Sequence, residues 1–289
     1  MSTERLRVYH NPTLTGATLV MGFDGWMDGG EVSTGLVDYL RVNLGAVPFA
    51  SIDPEPFYLF QVPAPAELAG LFRPRVKIHD GLIEDFSFPT NSFFADTKHN
   101  LILFSGQEPN LRWEGFADCI FHLCEQFNVR QIYFVGGVAG LTPHSREPKF
   151  TASVSQPALR ANLERVGIRM NRYEGPASFV SYLTVRASKT DIDMVVLTAE
   201  VPAYLQGYNP RAVEAAVRYM SGLLELHLSC DDLRSLSDEF ERRVGELVQQ
   251  QPDLAQRVQQ LEEIYDHEIF ETELSDLKNW LHQRGIRLD

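Results

Sequence analysis

The chain has 289 residues, of which 44% are hydrophobic and 11% aromatic, and its formal net charge is −13. Such a length and apolar content can bury a large core, as one generous α/β domain or a domain with an appendage, so disorder is excluded as the default state. The acidic balance excludes general affinity for nucleic acid and anionic membrane, and it is uneven, with fifteen Asp and Glu against seven Lys and Arg in residues 231–289.

Taken in order, residues 5–9 read as an edge strand, and Asn11-Pro12 turns the chain inward. Residues 17–40 then change period across a glycine-rich loop. Residues 17–21 (ATLVM) are a nearly continuous apolar run, as in a strand buried on both faces; Gly22, Gly25, Gly29 and Gly30 follow, and Val32, Leu36, Val37 and Leu40 share one side of a 3.6-residue period. Strand, loop and amphipathic helix in this order open a βαβ unit. The loop matches neither G-x-G-x-x-G nor a phosphate-cradling loop with lysine. Asp24, Asp28 and Glu31 crowd the helix start, where their charge repels phosphate, so a ligand here would be a hydroxyl, an amine or a cation. Asp28 with Glu31 also fits an acidic capping box, a purely structural device.

Residues 47–52 read as a second strand, and four prolines in DPEPFYLFQVPAP (53–65) suggest an ordered excursion packed by Phe57, Tyr58 and Phe60. Residues 75–79 and 82–86 suggest strands around Asp80-Gly81, with a further turn at 89–91. Residues 101–104 are a second buried strand that ends in SGQEPN, and Trp113, Phe116, Ala117, Ile120, Phe121, Cys124 and Phe127 mark one helix face. Residues 132–135 are a third buried strand, whose following glycines 136, 137 and 140 lead into TPHSREP (142–148). A helix at 157–166, a strand near Ile168, a helix at 178–186 and a fourth buried strand at 192–198 complete an alternating pattern. This predicts a three-layer α/β/α domain with a largely parallel sheet over residues 1–229. Residues 230–289 form a helical appendage, with stripes at Leu233, Leu236, Phe240, Val244 and Leu247 and then, after Gln251-Pro252-Asp253, at Leu254, Val258, Leu261 and Tyr265, continuing to Leu277, Trp280 and Leu281.

Cys119, Cys124 and Cys230 read as reduced, buried thiols. The N-terminal MSTERLRVYHN has no signal-peptide core and no apolar run reaches membrane-spanning length, so a soluble, cytoplasmic protein without nucleic-acid or membrane partners is expected.

Chemistry in an open α/β sheet collects at the carboxyl ends of its strands. The loops there carry Asp24 with Trp26, Glu108 with Arg112, His144 with Arg146, and Glu200, while Glu174 lies in a further loop. His144 and Glu108 are the candidate proton-moving residues, and Asp24, Trp26, Arg112, Arg146 and Glu174 the candidate ligand-binding ones. Taken singly, such charges are more often solvated loop residues or members of ion pairs, and a histidine like His144 is more often a hydrogen-bonded structural residue. No nucleophile elbow, H-E-x-x-H or C-x-x-C is present, no metal site is expected, and the cofactor is left unknown.

The segments GFDGWMDGG (22–30), DPEPFY (53–58), GQEPNLRW (106–113), PHSREP (143–148), YEGP (173–176) and DEFERRV (238–244) occur in the order found in the proteasome assembly chaperone 2 type family, and the chain resembles its bacterial branch over roughly residues 17–250. The resemblance implies a phosphorylase/hydrolase-like α/β/α fold and a homo-oligomer, for which a trimer is the expected stoichiometry. In archaeal and eukaryotic relatives it implies guidance of proteasome subunits. Ring-docking relatives end in a hydrophobic-Tyr-any tail, whereas this chain ends Ile286-Arg287-Leu288-Asp289. Two functions follow as expectations: a non-enzymatic, oligomeric chaperone-like protein with a protein client, or alternatively a hydrolase or transferase acting on a small polar metabolite at the strand ends.

Overall fold

Alternate side chains of a strand must find cover on opposite sides of the sheet, and the architecture follows from what covers each. The computed structural model describes residues 2–63, 65, 70 and 72–283, with residues 2, 3 and 272–283 as backbone alone. Its strands and α-helices are β1 (Leu6–Val8), β2 (Thr18–Asp24), α1 (Val32–Leu44), β3 (Val47–Ile52), β4 (Arg75–His79), β5 (Leu82–Ser87), β6 (Ser92–Asp96), β7 (Leu101–Gln107), α2 (Trp113–Gln126), β8 (Gln131–Gly140), β9 (Phe150–Val154), α3 (Arg160–Arg165), β10 (Arg169–Met170), α4 (Phe179–Ala187), β11 (Asp193–Pro202), α5 (Pro210–Leu223), α6 (Asp231–Gln249) and α7 (Pro252–Gln283). One sheet has the order β1-β3-β6-β7-β2-β8-β11-β9-β10, and β4 with β5 forms a separate hairpin.

The four central strands β7, β2, β8 and β11 are parallel neighbours, as their apolar runs predict. Antiparallel strands extend this core through β6, β3 and β1 on one side and β9 on the other, where β10 pairs parallel to β9. The sheet is therefore mixed, with its parallel part at the centre. Leu19, Met21, Phe23, Phe104, Phe134 and Met194 face α2 and α4, which cover them with Phe116, Ile120, Phe179 and Leu183. Val20, Leu103, Val135 and Leu197 face α1 and α5, where Leu36, Leu40, Val213 and Val217 close the opposite layer. Each such side chain taken from water stabilises the fold by about 1.5–3 kcal/mol. The three-layer α/β/α arrangement is thus the one the sequence predicts.

All four buried strands run further than their apolar runs. β2 continues through Gly22 and Phe23 to Asp24. β7 continues through Gly106 to Gln107, β8 through Gly136 and Gly137 to Gly140, and β11 to Pro202. The glycines belong to the strand because the 25–31 loop lies directly on it: Gly137 N donates to Met27 O (2.8 Å), and Asp28 makes a parallel bridge to Gly137. A Cβ on Gly137 would collide with the Gly29 carbonyl oxygen, and one on Gly29 would stand 2.8 Å from the Gly137 carbonyl. Strand β6 follows the expected turn at 89–91 without a sequence signal of its own, and β9 follows the 142–148 loop in the same way; both are short and gain their pairing from β3, β7 and β11.

The excursion after β3 is anchored by buried Phe57 and Tyr58, with Phe60 partly buried against the same core. All three cysteines are buried and none is in a disulfide, and burial pushes the Cys119 thiol up to about 11. Helix α6 packs on α5, and α7 returns along α6. Val244, Val248 and Val258 are buried between them; of the expected stripes through Tyr265 only Leu236 and Leu247 stay exposed, and Ile264 and Phe270, outside those stripes, are exposed as well. The side chains of Leu277, Trp280 and Leu281 and the tail 286–289 lie outside the described residues. Among the described residues no helix is long and apolar enough to cross a membrane.

The glycine contact yields a paired test. Gly137→Ala should lower unfolding stability by about 3 kcal/mol or more, or prevent folding, because two backbones must separate. Gly222→Ala, in α5 with open space at its Cβ position, should raise stability by up to about 1 kcal/mol. Urea unfolding followed by circular dichroism reads both.

Candidate functional site

Neighbouring β2 and β7 send their helices to opposite faces of the sheet, α1 to one and α2 to the other. A crevice opens outside the carboxyl ends of two strands where this happens. Here it is a cavity of about 320 Å³, with Asp24, Ser105 and Gln107 on the strand side, Thr34 on α1, and Arg73 and Arg75 at the foot of the β4–β5 hairpin. Of the residues singled out in the sequence, Asp24 alone lines it. Arg73 and Arg75 escaped notice because they flank Pro74 at the start of an expected strand, far in sequence from any buried-strand loop.

Glu108 stands just behind the crevice but has another task. Its Oε2 accepts from Trp26 N (2.7 Å) and its Oε1 from Phe179 N (2.7 Å), so one carboxylate ties the loop after β2 to the first turn of α4. Its own amide donates to Asp24 O (2.8 Å), which fixes the two strand ends together. Trp26 projects its ring outward, 66% exposed. Arg112 precedes α2 in a left-handed conformation (φ 52°), exposed, and Glu174 is exposed in the 171–177 loop. Neither side chain bonds another described residue.

Asp28 does cap α1, by a different geometry from the expected box. Gly30 and Glu31 take left-handed conformations (φ 69° and 53°), which brings Asp28 Oδ1 to Ser33 N (2.7 Å) and Thr34 N (3.1 Å), while Thr34 Oγ1 donates to Oδ2 (2.7 Å). Burial outweighs these bonds and raises the carboxyl to about 6.

His144 and Arg146 occupy a different place. His144 is buried in the 142–148 loop, where the Tyr204 hydroxyl accepts from its backbone amide (2.9 Å) and meets Nδ1 (2.7 Å). With Nδ1 engaged, Nε2 faces a cavity of about 480 Å³ between this loop and the α6–α7 pair, next to Gly245. Burial pushes the ring below the ordinary histidine value against the opposing pull of Glu262 and Glu241. Arg146 is held to α7 by two hydrogen bonds that it donates to Asp266 (Nε to Oδ1 2.7 Å, Nη2 to Oδ2 2.8 Å). Lys149 Nζ meets Glu268 (2.6 Å), and Ser145 bonds Glu262. Glu200 is likewise engaged, accepting from Leu141 N (2.6 Å) and Thr142 N (2.8 Å). The structure therefore brings Asp24, Trp26 and Glu108 together at the ends of β2 and β7, and holds His144 and Arg146 apart against helices that pack over α5, on the other face from α4. No contact joins the two groups among the described residues.

The β4–β5 hairpin is a second conspicuous feature. Val76 pairs with Phe86 and Ile78 with Ile83, and these four, with Leu82 and Phe88, are all exposed, Leu82 by 73%. Phe88 reaches back to Phe60 (ring centroids 5.2 Å) and forms the hairpin's aromatic hinge to the domain.

Two outcomes follow from these carboxylates. Glu108→Ala should cost about 2 kcal/mol and speed amide exchange at residues 26 and 179 together, since both amides lose one acceptor. For Asp28, the folded-state value lies above the unfolded one, so the folded chain binds the extra proton and stability falls as pH rises from about 4 to about 6. Asp28→Asn, which keeps an acceptor oxygen without the charge, should improve relative to wild type by about 1–2 kcal/mol between pH 4 and pH 7 in urea titrations.

The comparisons with known proteins agree with this architecture. The chain resembles the Mycobacterium tuberculosis proteasome-assembly chaperone homologue Rv2125, with 26% identity, a TM-score of 0.72, and coverage of 83% of this chain and 99% of that one. It also superposes on the M. tuberculosis protein of unknown function Rv2714 (24% identity, TM-score 0.81, 94% and 92% covered). The Pyrococcus furiosus archaeal proteasome activator PbaB shares the fold at 18% identity (TM-score 0.63, 84% and 97% covered). No curated protein is similar in sequence. Residues 22–248, which run from the end of β2 through the His144 loop to nearly the end of α6, match the PAC2 family model, and the chain belongs to the PAC2 family.

Proposed function

We propose that the protein is a non-enzymatic, oligomeric, chaperone-like interaction protein, and that a second copy of the chain covers its β4–β5 hairpin. The observation that carries this reading is the hairpin itself. A two-stranded sheet is marginal in water, and one that exposes Val76, Ile78, Leu82, Ile83, Phe86 and Phe88 presents an apolar patch of the kind that marks an interface. A standing cover fits better than an occasional client, because a client would leave the patch bare between encounters. The names borne by two relatives, a proteasome-assembly chaperone homologue and an archaeal proteasome activator, support a role in contact with protein clients. Exposed Leu236, Leu247, Ile264 and Phe270 on α6 and α7 offer further apolar surface for such a client.

The reading as a hydrolase or transferase has less support. Both oxygens of Glu108 are occupied by backbone amides, and His144 faces the α6–α7 pair rather than the strand-end crevice. A proton-moving pair is not assembled around Asp24.

Sedimentation of the full chain tests the proposal. Wild type should run as an oligomer, with the homotrimer that the family resemblance implies as the mass to look for. Ile83→Glu combined with Phe86→Glu should run as a monomer with an unchanged circular dichroism spectrum. A wild type that stays monomeric at micromolar concentration, or a variant that assembles like wild type, would overturn self-association through the hairpin.

A further inference from the structure

We propose that the crevice between the carboxyl ends of β2 and β7 binds a small zwitterion, with its anionic group on Arg73 and Arg75 and its amine on Asp24. The inference is independent of how the hairpin is covered. Three observations carry it.

The first is topological. The chain reverses its winding between β7 and β2, and a crevice outside the strand ends at that point is where an open α/β sheet can admit a ligand. The cavity found there has a volume of about 320 Å³ and is lined mainly by polar groups, which suits a small polar molecule rather than an apolar one.

The second is the state of its charges. Arg146, Arg211 and Arg218 each meet a carboxylate, as expected on a chain of net charge −13. Arg73 and Arg75 line one cavity and pair with no carboxylate among the described residues, and Asp24 across from them is equally unpaired. Two guanidinium groups two residues apart at the rim of one opening match the planar, double hydrogen bonding of a carboxylate or a phosphate. A lone carboxylate on the strand side matches an ammonium group. A simple anion would use only half of this set.

The third is the uncharged lining. Ser105 and Gln107 alternate with Gly106 along β7 and turn their side chains into the opening, where neither bonds another described side chain. Thr34 gives its hydroxyl proton to Asp28 and so presents only acceptor lone pairs to the crevice. These groups can orient a ligand between its two charged ends. The sequence pointed to an amine or hydroxyl on Asp24 and counted Arg112 and Arg146 among the ligand-binding residues; the fold puts Arg73 and Arg75 beside Asp24 instead.

Isothermal titration of the full-length protein with three probes tests the assignment. O-Phosphoethanolamine carries phosphate and ammonium, 4-aminobutyrate carries carboxylate and ammonium, and inorganic phosphate carries the anion alone. At least one zwitterion should saturate one site per chain and bind more tightly than phosphate, and which of the two does so identifies the anionic group. Arg73→Gln with Arg75→Gln should weaken that probe at least tenfold, and weaken phosphate too. Asp24→Asn should weaken the zwitterion at least tenfold and leave phosphate unchanged. All three side chains are exposed, so the melting temperatures of the unliganded variants should match wild type. Absence of binding by all three probes at millimolar concentration overturns the proposal. So does phosphate binding as tightly as the tighter of the two zwitterions, or a zwitterion that both variants bind normally.

Discussion

The contact of residues 27–29 with the second half of β8 is the constraint on which the rest of the strand-end architecture depends. Two backbones approach there with no side chain between them, because Gly29 and Gly137 face each other. This lets Met27 O accept from Gly137 N and lets the loop continue the hydrogen bonding of the sheet. With the loop so placed, Gly30 and Glu31 must take left-handed conformations before α1 can begin, and Asp28 swings under the helix start. The helix then lies close enough to β2 that Ser33 Oγ accepts from Phe23 N (2.9 Å), and a Cβ on Gly22 would stand 2.6 Å from the Ser33 carbonyl. Glycine is required at these positions by contact, which is a different demand from turning the chain.

Carboxylates complete this arrangement. Asp28, Glu108 and Glu200 each accept two backbone amides, Asp28 from the first turn of α1, Glu108 from the loop after β2 and the first turn of α4, and Glu200 from the loop after β8. Loop amides at strand ends have no ladder partner, and a charged acceptor that serves two of them contributes more than a neutral one. Acidic residues at strand ends are thus explained by loop anchoring, with Asp24 as the exception. The same economy of partners explains why the free charges of the crevice stand out.

The C-terminal helices join the domain by a different balance of forces. Their shared apolar core is small, and the 142–150 segment holds α7 through Arg146 and Lys149. Asp266 is exposed, and its carboxyl is held below the ordinary range by the bond to Arg146. Exposed pairs of this kind are weak singly and weaken further in salt, so the attachment rests on their number and on the buried valines. The surplus of acid in residues 231–289 finds its counterpart in the few basic residues of that loop.

What the sequence determined by itself was local. Apolar runs at 17–21, 101–104, 132–135 and 192–198 with helical periods between them sufficed for a three-layer α/β/α domain with parallel strands at its centre, because period and burial are properties of short stretches. The blocks from GFDGWMDGG to DEFERRV sufficed for the family. Tertiary structure decided what pairing and proximity decide. Strand β9 and the antiparallel edge of the sheet exist through their partners, and the glycine ends of β7 and β8 are strand because another segment pairs with them or leans on them. The site residues divided for the same reason. His144 and Arg146 looked like neighbours of Asp24 as long as only strand-end loops were counted, yet the helices that follow α5 claimed them. Arg73 and Arg75 carried no signal at all in the sequence, since their meaning comes from a hairpin that folds back over the ends of two strands distant in the chain.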